Sequence, residues 1–224
     1  MKYIKAVIAL FVFFFASVLD IIPVTLFNIE LNDQNSIILS LCRNILISII
    51  LFFIYRKEII LEYHKFRENS FQNLDTGFKY WLIGLALMMI SNILIQTLFP
   101  NSVAGNEESV QSMISVLPLF MFINTSILAP INEEICFRKT FYDTIKNKIL
   151  FIIISGIFFG SLHVVFAFEN LVDLLYIIPY SCLGIAFAFM YFKTETVFTS
   201  IIMHAIHNGI LTLLSIYSMS MFIF

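Results

Sequence analysis

Charged residues are scarce in this chain. Only 12% of the 224 residues are Asp, Glu, Lys or Arg, which is about half of the fraction usual in soluble domains. The formal net charge of −2 argues against a nucleic-acid-binding protein, because such proteins carry a clustered basic surface. Apolar residues make up 60% of the chain. The composition therefore predicts an integral membrane protein whose first partner is the lipid bilayer.

Cysteine is also rare, with only Cys42, Cys136 and Cys182 present. The three are odd in number, far apart and set in apolar runs, so they predict neither a disulfide framework nor a zinc knuckle. No Gly/Ser-rich linker, low-complexity segment or internal repeat divides the sequence. We therefore expect residues 1–224 to form a single integral membrane domain.

Apolar runs of about 20 residues, the length that crosses a bilayer as a helix, define the predicted fold. We predict an all-α, polytopic bundle of about seven transmembrane helices. A short amphipathic helix is expected around residues 139–147, and the polar segment 56–77 is the only sizeable predicted loop. The predicted spans are residues 6–27, 36–55, 78–99, 113–133, 149–168, 173–192 and 197–219.

The distribution of Lys and Arg predicts the orientation of these helices. Both residue types collect before the first span, between the second and third, after the fourth and after the sixth, whereas the alternate loops carry only acids. Positive residues gather on the cytoplasmic side, so we expect a multi-pass protein of the cell membrane with its N-terminus inside and its C-terminus outside. Arg43 is the exception, and its depth predicts a structural pair with Asp20.

The most informative segment contains Glu133, Glu134 and Arg138 in an otherwise apolar region. Each ionisable group in a bilayer costs about 2.5 kcal/mol or more, so such groups indicate function by default. Residues four apart share a helical face, so we expect Glu134 to pair with Arg138 and Glu133 to remain as a general base. Pro130 and Asn132 predict an interrupted helix with freed carbonyl groups.

Three histidines lie in the apolar segments that follow. His163 is expected in the fifth span, while His204 and Asn208 share a face of the seventh. His207 lies beside His204 and is an accessory candidate. A general base, a histidine that shares a water and a His/Asn donor pair form a hydrolytic constellation. The alternative is structural, since intramembrane His and Glu–Arg groups also serve only to hold helices together.

These residues resemble a known family. The CPBP family comprises the CAAX proteases and bacteriocin-processing proteins, also called the abortive-infection (ABI) family of intramembrane proteases. The resemblance covers residues 113–212, and the N-terminal helices in residues 1–112 correspond to the part that varies in that family. Its three ordered motifs read here as Glu133-Glu134-x-x-x-Arg138, Phe159-x-x-x-His163 and His204-x-x-x-Asn208.

The resemblance implies a glutamate-dependent intramembrane endopeptidase with a cavity that opens to the cytosol. Lys139 stands where many members have Gly, which affects the expected local turn but not the chemistry. The implied roles are water activation by Glu133 and His163, oxyanion stabilisation by His204 and Asn208, and support by Glu134 and Arg138.

A difference in depth complicates this assignment. At 1.5 Å per residue, His163 lies about 22 Å from Lys148 at the cytoplasmic surface, whereas His204 lies only about 10 Å from that surface. The two histidines can meet only if residues near 139–150 dip back into the bilayer or if the fifth helix starts later.

We predict catalysis without a cofactor. Zinc is the alternative, because carboxylate and imidazole groups ligate zinc, although no His-Glu-x-x-His signature is present. The four groups that zinc would use are Glu133, His163, His204 and His207.

Two other functional classes stay open. One is a non-catalytic bacteriocin-immunity or sensor-partner protein that retains the fold. The other is a transporter, which inverted repeats would support, and none is found. For the protease, the expected substrate is a peptide or membrane protein, such as a bacteriocin leader, a pheromone precursor or a membrane-anchored regulator. Bacteriocin processing or self-immunity is the expected physiological role.

Overall fold

The computed structural model describes residues 1–100 and 102–221, and these residues form helices and connections without any strand. The order of helices along the chain follows the predicted all-α pattern. The α-helices are α1 (Lys2–Phe15), α2 (Ile21–Phe27), α3 (Asp33–Glu68), α4 (Ser70–Leu98), α5 (Gly105–Val116), α6 (Pro118–Ile123), α7 (Ala129–Glu133), α8 (Thr140–Thr144), α9 (Lys148–Val165), α10 (Ile177–Thr194) and α11 (Val197–Met221).

Six helical stretches of the described residues are long and apolar enough to cross a membrane. They confirm a multi-pass, all-α membrane protein and overlap six of the predicted spans. A 3₁₀ turn joins α1 to α2, and another precedes α10, so each of these pairs counts as one stretch. The six are Lys2–Phe27, Asp33–Glu68, Ser70–Leu98, Lys148–Val165, Asp173–Thr194 and Val197–Met221.

The predicted loop at residues 56–77 is wrong. α3 continues to Glu68 and α4 begins at Ser70, so helix occupies nearly all of this polar segment. The physical reason is tertiary: Glu62 is buried and accepts a hydrogen bond from the Val197 N–H at the start of α11, which holds the polar end of α3 against the bundle.

The predicted fourth span and the predicted amphipathic helix belong to one helical run, residues 118–144. It starts after Leu117, whose φ of −139° breaks the preceding helix, and it ends at Ile145. Two π-helical segments, Asn124–Leu128 and Glu134–Lys139, interrupt it. The short helix expected at 139–147 corresponds to α8 (Thr140–Thr144), which continues this run after the second π-helical segment and does not stand apart from it. Lys139 and Thr140 are buried, so the helix stays within the bundle there.

The first π-helical segment frees a carbonyl group, as the sequence predicts. The Ala129 N–H bonds to the carbonyl of Asn124, five residues earlier. In the same π-helical hydrogen-bond pattern, the next N–H, that of residue 130, would bond to the carbonyl of Thr125, but Pro130 has no amide hydrogen. The Thr125 carbonyl instead accepts a hydrogen bond from the side chain of Asn208, at 2.9 Å. The interruption thus links this run to α11.

Glycines allow α9 and α10 to pack closely. An added Cβ at Gly160 would lie 2.6 Å from the backbone nitrogen of Ser181, and one at Gly184 would lie 2.7 Å from the carbonyl oxygen of Gly156. No side chain fits at such separations, so these backbones touch directly. Fully buried aromatic side chains pack around this contact, among them Phe151, Phe159 and Phe187.

α3 joins the 118–144 run through hydrogen bonds along one face. The bonded side chains on α3 recur at intervals of four or seven residues, which keeps them on one side of the helix. The contacts are Asn44 to Asn124 at 2.7 Å, Ser48 to Asn132 at 2.7 Å, Tyr55 to Thr140 at 2.8 Å and Glu62 to Lys139 at 3.1 Å.

Two smaller predictions hold. The Arg43 guanidinium pairs with the carboxylate of Asp20, so the charge in the second span is compensated within the protein. All three cysteines are free thiols, as expected of a chain without a disulfide framework.

Candidate active site

Glu134 and Arg138 form a fully buried ion pair. Both side chains have no exposed surface, and the Nε of Arg138 lies 3.1 Å from Oε2 of Glu134. Arg138 also donates from Nη1 to the Ser155 hydroxyl at 3.3 Å and lies over the ring of Phe159, 4.7 Å from its centroid. The predicted i,i+4 pair is therefore present, and α9 completes its surroundings.

Glu134 has a second partner that the sequence did not predict. Its Oε1 accepts a hydrogen bond from Nδ1 of His204 at 3.0 Å. This contact joins the 118–144 run to α11 and fixes the ring of His204, which also stacks on Phe187 with centroids 4.8 Å apart. The second carboxylate of the motif thus positions a histidine in addition to holding Arg138.

Glu133 projects away from this pair. Its Oε2 is buried, has no hydrogen-bond partner and lies 3.9 Å from Nε2 of His204. The side chain is 17% exposed and lines a cavity, whereas Glu134 is fully enclosed. The two adjacent carboxylates therefore differ, since Glu134 is held by Arg138 and His204 whereas Glu133 lines the cavity with no charged group of the described residues closer than 3.9 Å.

His163 reaches the same cavity from α9. Its Nδ1 lies 2.9 Å from the carbonyl of Phe159, and because a carbonyl can only accept, Nδ1 donates and Nε2 is left as an acceptor. The ring stacks on Tyr180 at a centroid distance of 4.8 Å. Phe159 contacts the rings of both His163 and His204, at 4.4 and 5.5 Å. The two histidines whose predicted depths differ therefore line one site.

Asn208 and His207 complete the α11 side of the cavity. Asn208 donates one amide hydrogen to the Thr125 carbonyl and has a second available. Nδ1 of His207 accepts a hydrogen bond from Trp81 at 3.4 Å, which ties α11 to α4. His207 thus has a structural partner, and its position beside the cavity also keeps it an accessory candidate.

The cavity itself lies between α4, α5, the 118–144 run, α9, α10 and α11. Glu133, His163, His204, His207 and Asn208 all line it, so the structure brings every predicted cavity residue together, with the Glu134–Arg138 pair behind them. A second opening, between α1 and α9, also reaches Glu133 and His163. Sequence reasoning missed Asn106 and Tyr180, which line the site but lie outside the three motifs.

In the part of the chain that the structure describes, no group of side chains is arranged to bind a metal ion. No three His, Cys, Asp or Glu side chains there come together in an arrangement that could hold an ion. Glu133, His163, His204 and His207 share the cavity without meeting that condition. Catalysis without a cofactor stays a prediction, which a chelator experiment tests.

Comparison with known proteins places these residues in a family. The family model described as type II CAAX prenyl endopeptidase Rce1-like matches residues 115–210, the part that contains the site. The membrane-embedded CAAX protease MroQ of Staphylococcus aureus is 31% identical over 186 residues, which cover 74% of this chain and 71% of the relative. No solved structure matches the chain.

Two further relatives extend the comparison. YdiL of Bacillus subtilis, which is named as a membrane peptidase, is 28% identical over 151 residues, covering 60% of this chain and 58% of YdiL. The lactococcal protein YxdF is 26% identical over 149 residues, covering 63% of this chain and 79% of YxdF. The similarity to these relatives agrees with the buried Glu–Arg pair and the three histidines of the site. The chain belongs to the CPBP family of membrane proteases and carries that family's Rce1-like segment.

Proposed function

We propose that this protein is a glutamate-dependent intramembrane endopeptidase that hydrolyses a peptide bond of a peptide or membrane-associated substrate. The observation that carries the proposal is the contrast between adjacent glutamates. Glu134 is fully buried, ion-paired with Arg138 and hydrogen-bonded to His204, whereas Glu133 lines a cavity together with His163 and has no guanidinium partner among the described residues. A base without a structural partner is free to accept a proton from water.

In this mechanism Glu133 and His163 activate the attacking water. The Nε2 of His163 accepts one hydrogen bond from the water, and Glu133 removes a proton as the oxygen attacks the carbonyl carbon. The carbonyl π electrons move to oxygen and give a tetrahedral oxyanion. Glu133 then returns its proton to the leaving nitrogen as the C–N bond breaks, which yields a carboxylic acid and an amine.

His204 and Asn208 are suited to bind the oxyanion. Asn208 can use the amide hydrogen that is not donated to Thr125. His204 donates from Nε2 only if that atom carries a proton while Nδ1 donates to Glu134, so the imidazole acts as a cation in this step. Glu134 and Arg138 hold the ring of His204 in place and do not touch the substrate.

The substrate class follows from the lipid setting of the site. The histidines and Glu133 lie among membrane-spanning helices, so a substrate segment must enter the bilayer or its interface. A bacteriocin leader, a pheromone precursor or a membrane-anchored regulator has this character. Processing of such peptides, or self-immunity to a bacteriocin, is the physiological role that we propose, with the N-terminus in the cytoplasm.

The decisive comparison sets wild type against Glu133→Gln in proteoliposomes, with a peptide-cleavage readout and bacteriocin exposure of expressing cells. Loss of a general base lowers rates about 10²–10⁴-fold, so cleavage should fall by that factor while the folded yield stays unchanged. Activity that is insensitive to a chelator supports catalysis without metal.

The same experiment separates the alternatives. Cleavage that survives Glu133→Gln contradicts the assigned base. Protection from bacteriocin that survives the substitution, with no cleavage in wild type, indicates an immunity or sensor-partner protein that retains the fold. A matched control is Glu108→Gln, which removes an exposed carboxylate from α5 and should leave both readouts unchanged.

A further inference from the structure

The two faces of the bundle differ in charge. Lys2 and Lys5 lie at the start of α1, and further basic residues lie where α3 ends and α4 begins, before α9 and at the end of α10. We call this the basic face. The opposite ends of the helices carry acids, including Glu107 in α5 and Asp173 before α10. By the distribution of positive charge the basic face is cytoplasmic.

The cavity extends toward the opposite, acidic face. Its lining includes Asn92 near the end of α4, Tyr176 just before α10 and Ser215 in the second half of α11. His163 lies two residues before the end of α9 at Val165, which is also the acidic end of that helix. The exposed residues Glu107 and Gln111 of α5 lie at the rim.

Between the site and the basic face the protein is closed. Arg138 and Ser155 lie directly behind the Glu134–His204 contact, and both are completely buried. Farther toward the basic face, Glu62 binds Lys139 at 3.1 Å and the Tyr191 hydroxyl at 2.8 Å. Neither of the two cavities that reach Glu133 and His163 is lined by a described residue of the basic face.

We infer that the catalytic cavity receives its substrate from the extracytoplasmic side, past the rim formed by α5. The inference rests on the proposed function, because only a protease has a substrate to receive. The direction of entry rests on the closed basic face. It differs from the cytosolic opening that the family resemblance implies. The occupant is a peptide segment that has been exported or that lies in the outer leaflet, and Glu107 at the rim favours a segment with positive charge.

A labelling experiment tests the direction without using activity. Cys42 and Cys182 are changed to serine, the fully buried Cys136 is kept, and a single cysteine is introduced by Gln111→Cys or by Gln72→Cys. Both glutamines are exposed, but Gln111 lies at the rim and Gln72 lies at the start of α4 on the basic face. Intact cells are treated with a membrane-impermeant maleimide.

The inference requires that Gln111→Cys is labelled in intact cells and that Gln72→Cys is labelled only after permeabilisation. Every other pattern overturns it, including the reverse one and labelling of both positions before permeabilisation. A background chain without an introduced cysteine must stay unlabelled, which checks that the buried Cys136 does not react.

A second measurement follows the substrate. A pool of water-soluble quenched-fluorescent peptides with Lys/Arg or Glu flanks is added to right-side-out and inside-out membrane vesicles, and to protein in detergent. Cleavage in right-side-out vesicles supports the inference. Cleavage in detergent and only in inside-out vesicles overturns it but leaves the proposed function intact. Absence of cleavage under all conditions contradicts the proposed function, while the labelling result still decides on which side of the membrane the rim of the cavity lies.

The charge preference has its own matched pair of variants. Glu107→Gln should lower kcat/KM for the Lys/Arg-flanked peptides by about two- to fivefold, the size of one exposed charge pair, and leave the Glu-flanked peptides unaffected or improved. Glu108 is also exposed on α5 but does not line the cavity, so Glu108→Gln should change neither. Equal effects of both substitutions would overturn the assigned role of Glu107.

Discussion

The N-terminal and C-terminal helices of this protein are stabilised in different ways. In the three N-terminal spans, 12%, 17% and 17% of the most apolar stretch is buried within the protein, against 39%, 56% and 44% in the three C-terminal spans. The C-terminal helices pack against one another, whereas the N-terminal helices leave most of their apolar surface to lipid. The site lies in the part with tight packing.

The contacts differ in kind as well as in extent. Close backbone approach at Gly156, Gly160 and Gly184 joins α9 to α10, and a buried Glu134–Arg138 pair lies beside it. α3 contributes buried apolar side chains such as Ile47 and Leu51 to the core, and it adds a row of separate hydrogen bonds between side chains. In a membrane the hydrophobic effect does not drive helices together, so packing and polar contacts must do so. This protein combines close helix packing with a buried ion pair around the site, and it adds a row of side-chain hydrogen bonds along α3.

The comparison predicts the largest loss of stability from Glu134→Ala. The substitution leaves Arg138 as a buried charge without a carboxylate, which costs about 3–5 kcal/mol. We expect a reduced folded yield and a lower thermal midpoint in detergent. Glu133→Ala is the control, because Glu133 compensates no buried guanidinium among the described residues and its nearest charged contact there is His204 at 3.9 Å, so its yield should match wild type while cleavage is lost. If the two variants exchange these phenotypes, the roles of the two glutamates are reversed.

Gly160→Ala should disrupt the α9–α10 contact. The new methyl group would lie 2.6 Å from the backbone nitrogen of Ser181, so the helices must separate, at a cost of about 1–3 kcal/mol. The measurement is the thermal midpoint of the purified protein. Gly209→Ala provides the matched control, since its nearest neighbour would lie at 3.8 Å. Similar midpoints for the two variants would show that α9 and α10 do not depend on close approach.

Ser48→Ala tests the polar contacts of α3. It removes the hydrogen bond to Asn132 and should lower the free energy of unfolding by about 1 kcal/mol. Ser91→Ala is a control, because the Ser91 hydroxyl donates its hydrogen to carbonyl groups of its own helix. Guanidinium or heat denaturation in detergent, followed by Trp81 fluorescence, compares the two. An effect as large as that of Glu134→Ala would contradict the smaller contribution expected of these hydrogen bonds.

Asp20→Asn should have the smallest effect. Asp20 and Arg43 are each about a quarter exposed. An asparagine at position 20 keeps a side-chain oxygen that accepts a hydrogen bond from the guanidinium, so we expect a loss below about 1 kcal/mol. Cleavage should remain at the wild-type level, because neither residue lines the cavity. A loss of cleavage with an unchanged thermal midpoint would instead assign this pair to substrate binding.

Much of the site follows from the sequence because its key relations are local. The i,i+4 spacing of Glu134 and Arg138 predicts their pair, and Pro130 predicts the interruption that frees the Thr125 carbonyl. Helical periodicity also separates Glu133 from that pair. These inferences need only the geometry of one helix.

The remaining features depend on tertiary contacts. Nothing local indicates that Glu134 binds His204 or that Trp81 donates to His207. The helix through residues 56–77 exists because Glu62 is buried against Lys139 and the start of α11, which hydropathy cannot show. Lys139, noted only as a departure from the family's usual Gly, proves to be the partner of that carboxylate.

The two π-helical segments make the site depend on residue count. A π-helical turn contains more residues than an α-helical turn, so deleting one residue from Asn124–Leu128 would let the helix continue in α geometry. The residues that follow would keep their rotation about the helix axis, because the extra residue is accommodated within that one turn. The deletion would instead remove the freed Thr125 carbonyl and with it the hydrogen bond from Asn208. Deleting one residue from α6 would rotate Glu133 by about 100° relative to the preceding helix. A one-residue deletion inside Asn124–Leu128 is therefore expected to lose this contact with α11 but to keep Glu133 in the cavity, whereas the same deletion in α6 takes Glu133 out of it.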